Sequence, residues 1–85
     1  MNKTFSDIAW EEYQYWVEHD RKILRKINEL IVEIERGGHA GKGKPEPLKH
    51  DLAGYWSRRI TDEHRLIYNI DGDNLYIAKC RNHYK

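Results

Sequence analysis

The 85-residue sequence carries three Trp, six Tyr and one Phe within a hydrophobic fraction of 39%, which suits one small, ring-rich domain over residues 1–85. Its longest apolar run, Leu75 to Ala78, is four residues, far short of the roughly 20 that a membrane-spanning helix needs; the lone Cys80 rules out a disulfide framework or a thiolate zinc cluster. The net charge of +1 hides an asymmetry, with five Lys/Arg against eight Asp/Glu over residues 1–35 and ten against six over residues 36–85.

Asp7, Glu11 and Glu12 interrupt any signal-peptide-like apolar stretch at the start, so a cytoplasmic protein is expected. Met1 to Phe5 is compatible with a short edge strand. Ser6 or Asp7 is a good helix N-cap, and Ala9, Trp10, Tyr13, Trp16 and Val17 then recur at three- and four-residue spacing, which predicts a short amphipathic helix. Asp20 can cap a second helix. Its stripe is Ile23, Ile27, Leu30, Ile31 and Ile34, with Arg25, Lys26, Glu29 and Glu33 opposite, and Gly37-Gly38 ends it. Trp10, Trp16 and the isoleucine stripe are expected in the core.

Gly37 to Pro47 holds four glycines and two prolines and reads as a loop. Beyond it the period falls to two. Strands are predicted at Tyr55–Ile60, Arg65–Ile70 and Leu75–Arg81, with a polar turn at Thr61–His64 and a hairpin signal at Asp71-Gly72-Asp73-Asn74. Helices first and a meander after predict an α+β fold: an N-terminal helix pair packed on a small twisted antiparallel sheet. The sheet's second face is then left towards solvent or a partner.

Three stretches carry polar chemistry. Glu46 lies between two prolines that restrict its backbone, in a run that also supplies Lys42, Lys44, Lys49 and His50. Arg58-Arg59 and His64-Arg65 flank the polar turn, and alternation lets one residue of each pair face a common ligand. Arg81-Asn82-His83-Tyr84-Lys85 continues directly from the last strand. A solvated loop, a charged strand face and a frayed end account for each stretch taken singly. Taken together they offer a carboxylate, an imidazole that can exchange a proton near neutral pH, guanidinium clamps and ring faces. Those parts fit RNA cleavage by the adjacent 2′-hydroxyl, which needs a base, an acid and cations, and requires no metal or other cofactor.

The stretch GKGKPEPLKHDLAGYWSRRITDEHRLIY, Gly41 to Tyr68, resembles the core of the YoeB (Txe-type) toxins of bacterial toxin–antitoxin pairs. Trp10, Tyr13, Tyr15 and Trp16 and the His83-Tyr84 ending agree with it, so the similarity spans essentially the whole chain. The resemblance implies a RelE-superfamily (microbial RNase) fold and an endoribonuclease that cuts mRNA in the ribosomal A site and so inhibits translation. It also implies inhibition by a YefM-like antitoxin. By position, Glu46 corresponds to the general base, His83 to the general acid, Arg65 to the group stabilising the transition state and Tyr84 to a terminal residue organising the site. Lys44, Lys49, His50 and Arg59 fall to RNA-binding contacts. Lys85 departs from the family, whose chains typically stop at the tyrosine.

Two further readings stand beside this one: a module that occupies RNA or the ribosome without cutting, and an interaction domain whose basic side receives an acidic partner. A homodimer is compatible with all three. His64, in a turn, is expected to be solvated; Cys80 is expected to be a small core residue.

Overall fold

The computed structural model describes residues 1–83. The chain opens with strand β1 (Asn2–Phe5), then helices α1 (Asp7–His19) and α2 (Arg21–Gly37). A two-residue strand β2 (Glu46–Pro47) and a one-turn 3₁₀ segment (His50–Leu52) lead to β3 (Trp56–Arg59), β4 (Arg65–Asp71) and β5 (Asn74–Lys79).

The helix ends follow the sequence signals. Ser6 caps α1, its hydroxyl accepting from the Ala9 N–H at 2.9 Å and donating to the Ala78 carbonyl at 2.7 Å. One side chain thus starts the helix and ties it to the last strand. Asp20 accepts from the N–H groups of Lys22 and Ile23 at 3.0 and 3.2 Å, while its own N–H closes α1 on the Trp16 carbonyl at 3.0 Å. Gly38 ends α2 at φ +63, a left-handed conformation that glycine adopts at little cost.

β3, β4 and β5 form the expected antiparallel meander. The sheet as a whole is mixed rather than antiparallel, in the order β1-β5-β4-β3-β2. β1 pairs parallel with β5, Asn2 facing Asn74 and Phe5 facing Ile77. Parallel neighbours need a long crossover, and here the helix pair is part of the connection between them. β2 lies inside the stretch expected to be loop, where it forms an edge opposite β3, Glu46 facing Ser57 and Pro47 facing Trp56. Proline is tolerated there because an edge strand leaves part of its ladder unpaired.

Alternation divides the sheet. Leu66, Tyr68, Leu75 and Ile77 turn to the helices and pack with Ile27, Leu30, Ile31 and Ile34 of α2, Ala9 and Trp16 of α1, and Cys80. Trp10, expected in the core, is 52% exposed. It sits about 100° around the helix from Ala9, edge-on to Phe5 at 5.8 Å and stacked on Tyr13 at 6.1 Å. On the second sheet face Ser57 and Ile67 stand opposite one another in register and are both buried, so that face is not a bare solvated surface. No helix among the described residues is long and apolar enough to cross a membrane.

Candidate functional site

The register of β2, β3 and β4 assembles a cleft on the face turned away from the helices. Glu46 lies opposite Ser57, and Arg59 opposite Arg65. Because side chains two apart on a strand share a face, Ser57 and Arg59 point the same way, with Glu46 and Arg65 as their partners. Lys44, Glu46, Ser57, Arg59, Arg65 and His83 line a cleft of about 190 Å³.

Each arm of the cleft is fastened. The Arg59 N–H donates to the Gly43 carbonyl at 2.7 Å, and the Leu48 N–H to the Tyr55 carbonyl at 2.9 Å, so Glu46 is bracketed between two backbone bonds. Gly43 has φ +86, and a Cβ there would lie 3.0 Å from Leu30 Cδ2 and 3.1 Å from the Arg59 carbonyl. Lys44 follows at φ +51, an uncommon conformation for a side-chain-bearing residue. Behind this loop Arg58 is fully buried. Its guanidinium donates to Tyr68 Oη at 3.1 Å and to the carbonyls of Lys42, Gly38 and Ala40 at 2.9, 2.8 and 2.7 Å. Burial lowers the His39 pKa and the Arg58 charge lowers it further. Burial raises that of Tyr68, against the hydrogen bond and charge of Arg58. His39 stacks on Trp56, ring centroids 4.0 Å apart and nearly parallel.

Arg65 begins β4 with its guanidinium turned on the preceding turn, Nη1 donating to the carbonyls of Thr61, Asp62 and His64 at 2.7, 3.1 and 3.1 Å. Those carbonyls fix its direction. Arg59 and Arg65 face one another across the ladder, an arrangement that repels unless an anion lies between or beside them. Asp62 approaches Arg59 at 3.5 Å, but from an almost wholly exposed carboxylate. His83 is exposed, with Nε2 3.2 Å from the Asp62 carbonyl. The lining therefore holds three cations, one carboxylate and one imidazole. It can bind a polyanion and offers one group to take a proton and one to give it.

The expected site residues divide accordingly. Lys44, Glu46, Arg59, Arg65 and His83 come together. Lys49 and His50 do not line that cleft; they line an adjoining hollow of about 600 Å³ that shares Glu46. Tyr84 and Lys85 lie outside the described residues. Sequence reasoning passed over Ser57, which the two-residue period with Arg59 would have placed. It also passed over His64, expected to be solvated and found only 8% exposed, its ring edge-on to Trp16 at 4.7 Å. That burial depends on α1, and no local signal carries it. Cys80 is buried as expected, its thiol pushed up to about 12 by burial and next by Glu12, with Lys79 opposing.

Comparison with known proteins gives the same frame. Residues 5–84 match the family of YoeB-like toxins of bacterial type II toxin–antitoxin systems. Toxin YoeB of Escherichia coli K12 is 56% identical over 84 residues, covering 99% of this chain and all of the relative. Toxin YoeB of Streptomyces coelicolor is 54% identical over the same share of each. Among solved structures, a YoeB/ParE toxin from Agrobacterium tumefaciens superposes with a TM-score of 0.96 at 46% identity, covering 99% of this chain and 100% of that one. The toxin in a YoeB–YefM complex from Staphylococcus aureus gives 0.93 at 49% identity over 99% and 98%. A YoeB dimer from the same organism gives 0.93 at 50% identity over the same shares. The fold and the match define a toxin of a bacterial type II toxin–antitoxin pair. This chain belongs to the YoeB toxin family.

Proposed function

We propose that the chain is an endoribonuclease that cuts mRNA in the ribosomal A site and thereby stops translation. The observation that carries this is one cleft lined by Glu46, His83, Arg59, Arg65 and Lys44. Glu46 takes the proton of a ribose 2′-hydroxyl, and the freed oxygen attacks the adjacent phosphorus. The bond to the 5′-oxygen breaks, and His83, protonated beforehand, supplies the proton that oxygen needs. The products are a 2′,3′-cyclic phosphate and a 5′-hydroxyl. Arg65, aimed by three carbonyls, stabilises the charge that accumulates on phosphorus, at no cost of reorganisation. Arg59 and Lys44 seat the phosphate, and Lys49 and His50 extend the contact along the strand. Tyr84, by its likeness to the family's terminal tyrosine, organises the site beside His83.

The partner in this reading is a YefM-like antitoxin, as in the Staphylococcus aureus complex. Its acidic, aromatic segment competes with RNA for Arg65 and His83. A homodimer in the cytoplasm is the working form. The test is purified protein added to ribosomes programmed with a defined mRNA, with the RNA ends mapped and their chemistry determined. The expected result is a cut within the A-site codon that leaves a cyclic phosphate. Intact mRNA under conditions where the protein binds the ribosome overturns the reading in favour of a non-cutting module.

A further inference from the structure

The general acid of the proposed reaction stands at the end of a segment with every reason to fray, yet successive residues of it are fastened. The Cys80 N–H donates to Glu12 Oε1 at 2.8 Å and its carbonyl accepts from Trp16 Nε1 at 2.9 Å. The Arg81 guanidinium lies 3.7 Å from the centre of the Tyr15 ring. Asn82 is held on both sides: its N–H donates to His64 Nδ1 at 2.8 Å and its carbonyl accepts from the Arg65 N–H at 3.1 Å. It sits at φ +62, a left-handed conformation that asparagine tolerates and that other backbone states compete with. Whatever holds Asn82 there sets the direction of the next peptide, and with it the ring of His83.

We infer that His64 is a positioning residue for His83. Its Nδ1 accepts the Asn82 N–H and locks the left-handed turn that delivers the His83 imidazole to the cleft. For that bond Nδ1 must be unprotonated, so the ring proton resides on Nε2. The ring itself is buried between strand and helix, edge-on to Trp16 at 4.7 Å, with Nε2 3.7 Å from Glu63 Oε1 at the surface. His64 therefore acts through Asn82 and touches no substrate. The Thr61–His64 turn that carries this ring also sends three of its carbonyls to the Arg65 guanidinium, so acid and cation are set from one short stretch of chain.

This inference rests on the ribonuclease reading, and its test separates the two. His64→Phe keeps a ring against Trp16 and removes the acceptor. His64→Asn restores an acceptor branching from Cγ, where Nδ1 branches. On mRNA bound to programmed ribosomes, His64→Phe should lower the maximal cleavage rate about tenfold to a hundredfold, the range of a small misplacement of a reacting group. The half-saturating concentration should stay within about twofold, since uniform binding is untouched. His64→Asn should recover most of the rate. In the wild type the His64 Nδ1 nitrogen should resonate as an unprotonated ring nitrogen, and the Asn82 amide should exchange more slowly than in His64→Phe.

An unchanged rate in His64→Phe overturns the inference, as does a His64→Asn rate no better than that of His64→Phe. If His64→Phe fails to fold, the His64→Asn rate and the wild-type nitrogen resonance decide; a protonated Nδ1 overturns the clamp. If wild-type protein leaves the mRNA intact, the ribonuclease reading falls, and exchange at Asn82 still judges the clamp by itself.

Discussion

Arg58 and Arg59 are neighbours in the chain and stand on opposite faces of β3. Arg58 is fully buried and spends its guanidinium on four neutral oxygens, three of them carbonyls of the loop that leads to Lys44 and Glu46. Arg59 looks into the cleft, opposite Arg65. The same side chain thus serves as a scaffold on one face and, in the proposed reaction, as an anion clamp on the other. Burial with all three guanidinium nitrogens engaged makes a cation structural. Exposure beside a second cation makes it available for phosphate.

That contrast predicts different responses to substitution on each face. On the cleft side, Glu46→Ala and His83→Ala should each lower mRNA cleavage by ~10²–10⁴-fold, about 3–5 kcal/mol in barrier. Both side chains are exposed, so thermal unfolding should stay where it is. A variant that cleaves like the wild type would remove that residue from the reaction. Arg65→Ala should act on turnover more than on binding, because its charge counts most at the phosphorane; a loss confined to binding would assign it to docking.

On the packed side, Arg58→Met should cost about 3 kcal/mol in urea unfolding, since it strands several acceptors at once. Arg59→Ala should stay within about 0.5 kcal/mol of the wild type in the same measurement. Equal losses for the two would erase the distinction between the faces.

The effect expected from Cys80 is silent at neutral pH and appears only in alkali. The fold holds its thiol proton more tightly than the unfolded chain does, pushing the group from 9.0 up to about 12. The stability this contributes is fully present below about 9 and drains away as pH rises towards about 12. The raised pKa of Tyr68 acts in the same alkaline range. Urea midpoints should therefore fall with alkalinity, and less steeply in Cys80→Ala. A parallel decline in both proteins would assign the loss elsewhere.

What the sequence made legible follows from how local each signal is. Ser6, Asp20 and Gly38 act on backbone groups within a few residues, and the helix ends fall where those residues put them. The β3–β4–β5 meander announces itself by its period and its Asp-Gly turn. The parallel pairing of Asn2 with Asn74 has no such signal, because its two halves are separated by nearly the whole chain. β2 was hidden for another reason: two prolines advertise a loop, and only the register with β3 makes them an edge.

The site divides along the same line. Alternation on one strand already separated Arg58 from Arg59, and likeness to a family supplied Glu46, Arg65 and His83. The burial of His64 and the clamp on Asn82 arise from contacts with α1 and across 18 residues of chain. Nothing in either neighbourhood foretells them. Trp10 misled because aromatic rings at helical spacing mark a stripe without saying which edge of it meets the sheet.

The prolines that aim Glu46 have a second effect at the rim of the molecule. Pro45 and Pro47 carry no amide hydrogen, so a stray strand arriving at β2 finds few donors to zip onto. An unshielded sheet margin is where crowded proteins begin to fuse into insoluble assemblies. Here the margin nearest the cleft is closed to that fate by the same two rings that leave its carboxylate reachable.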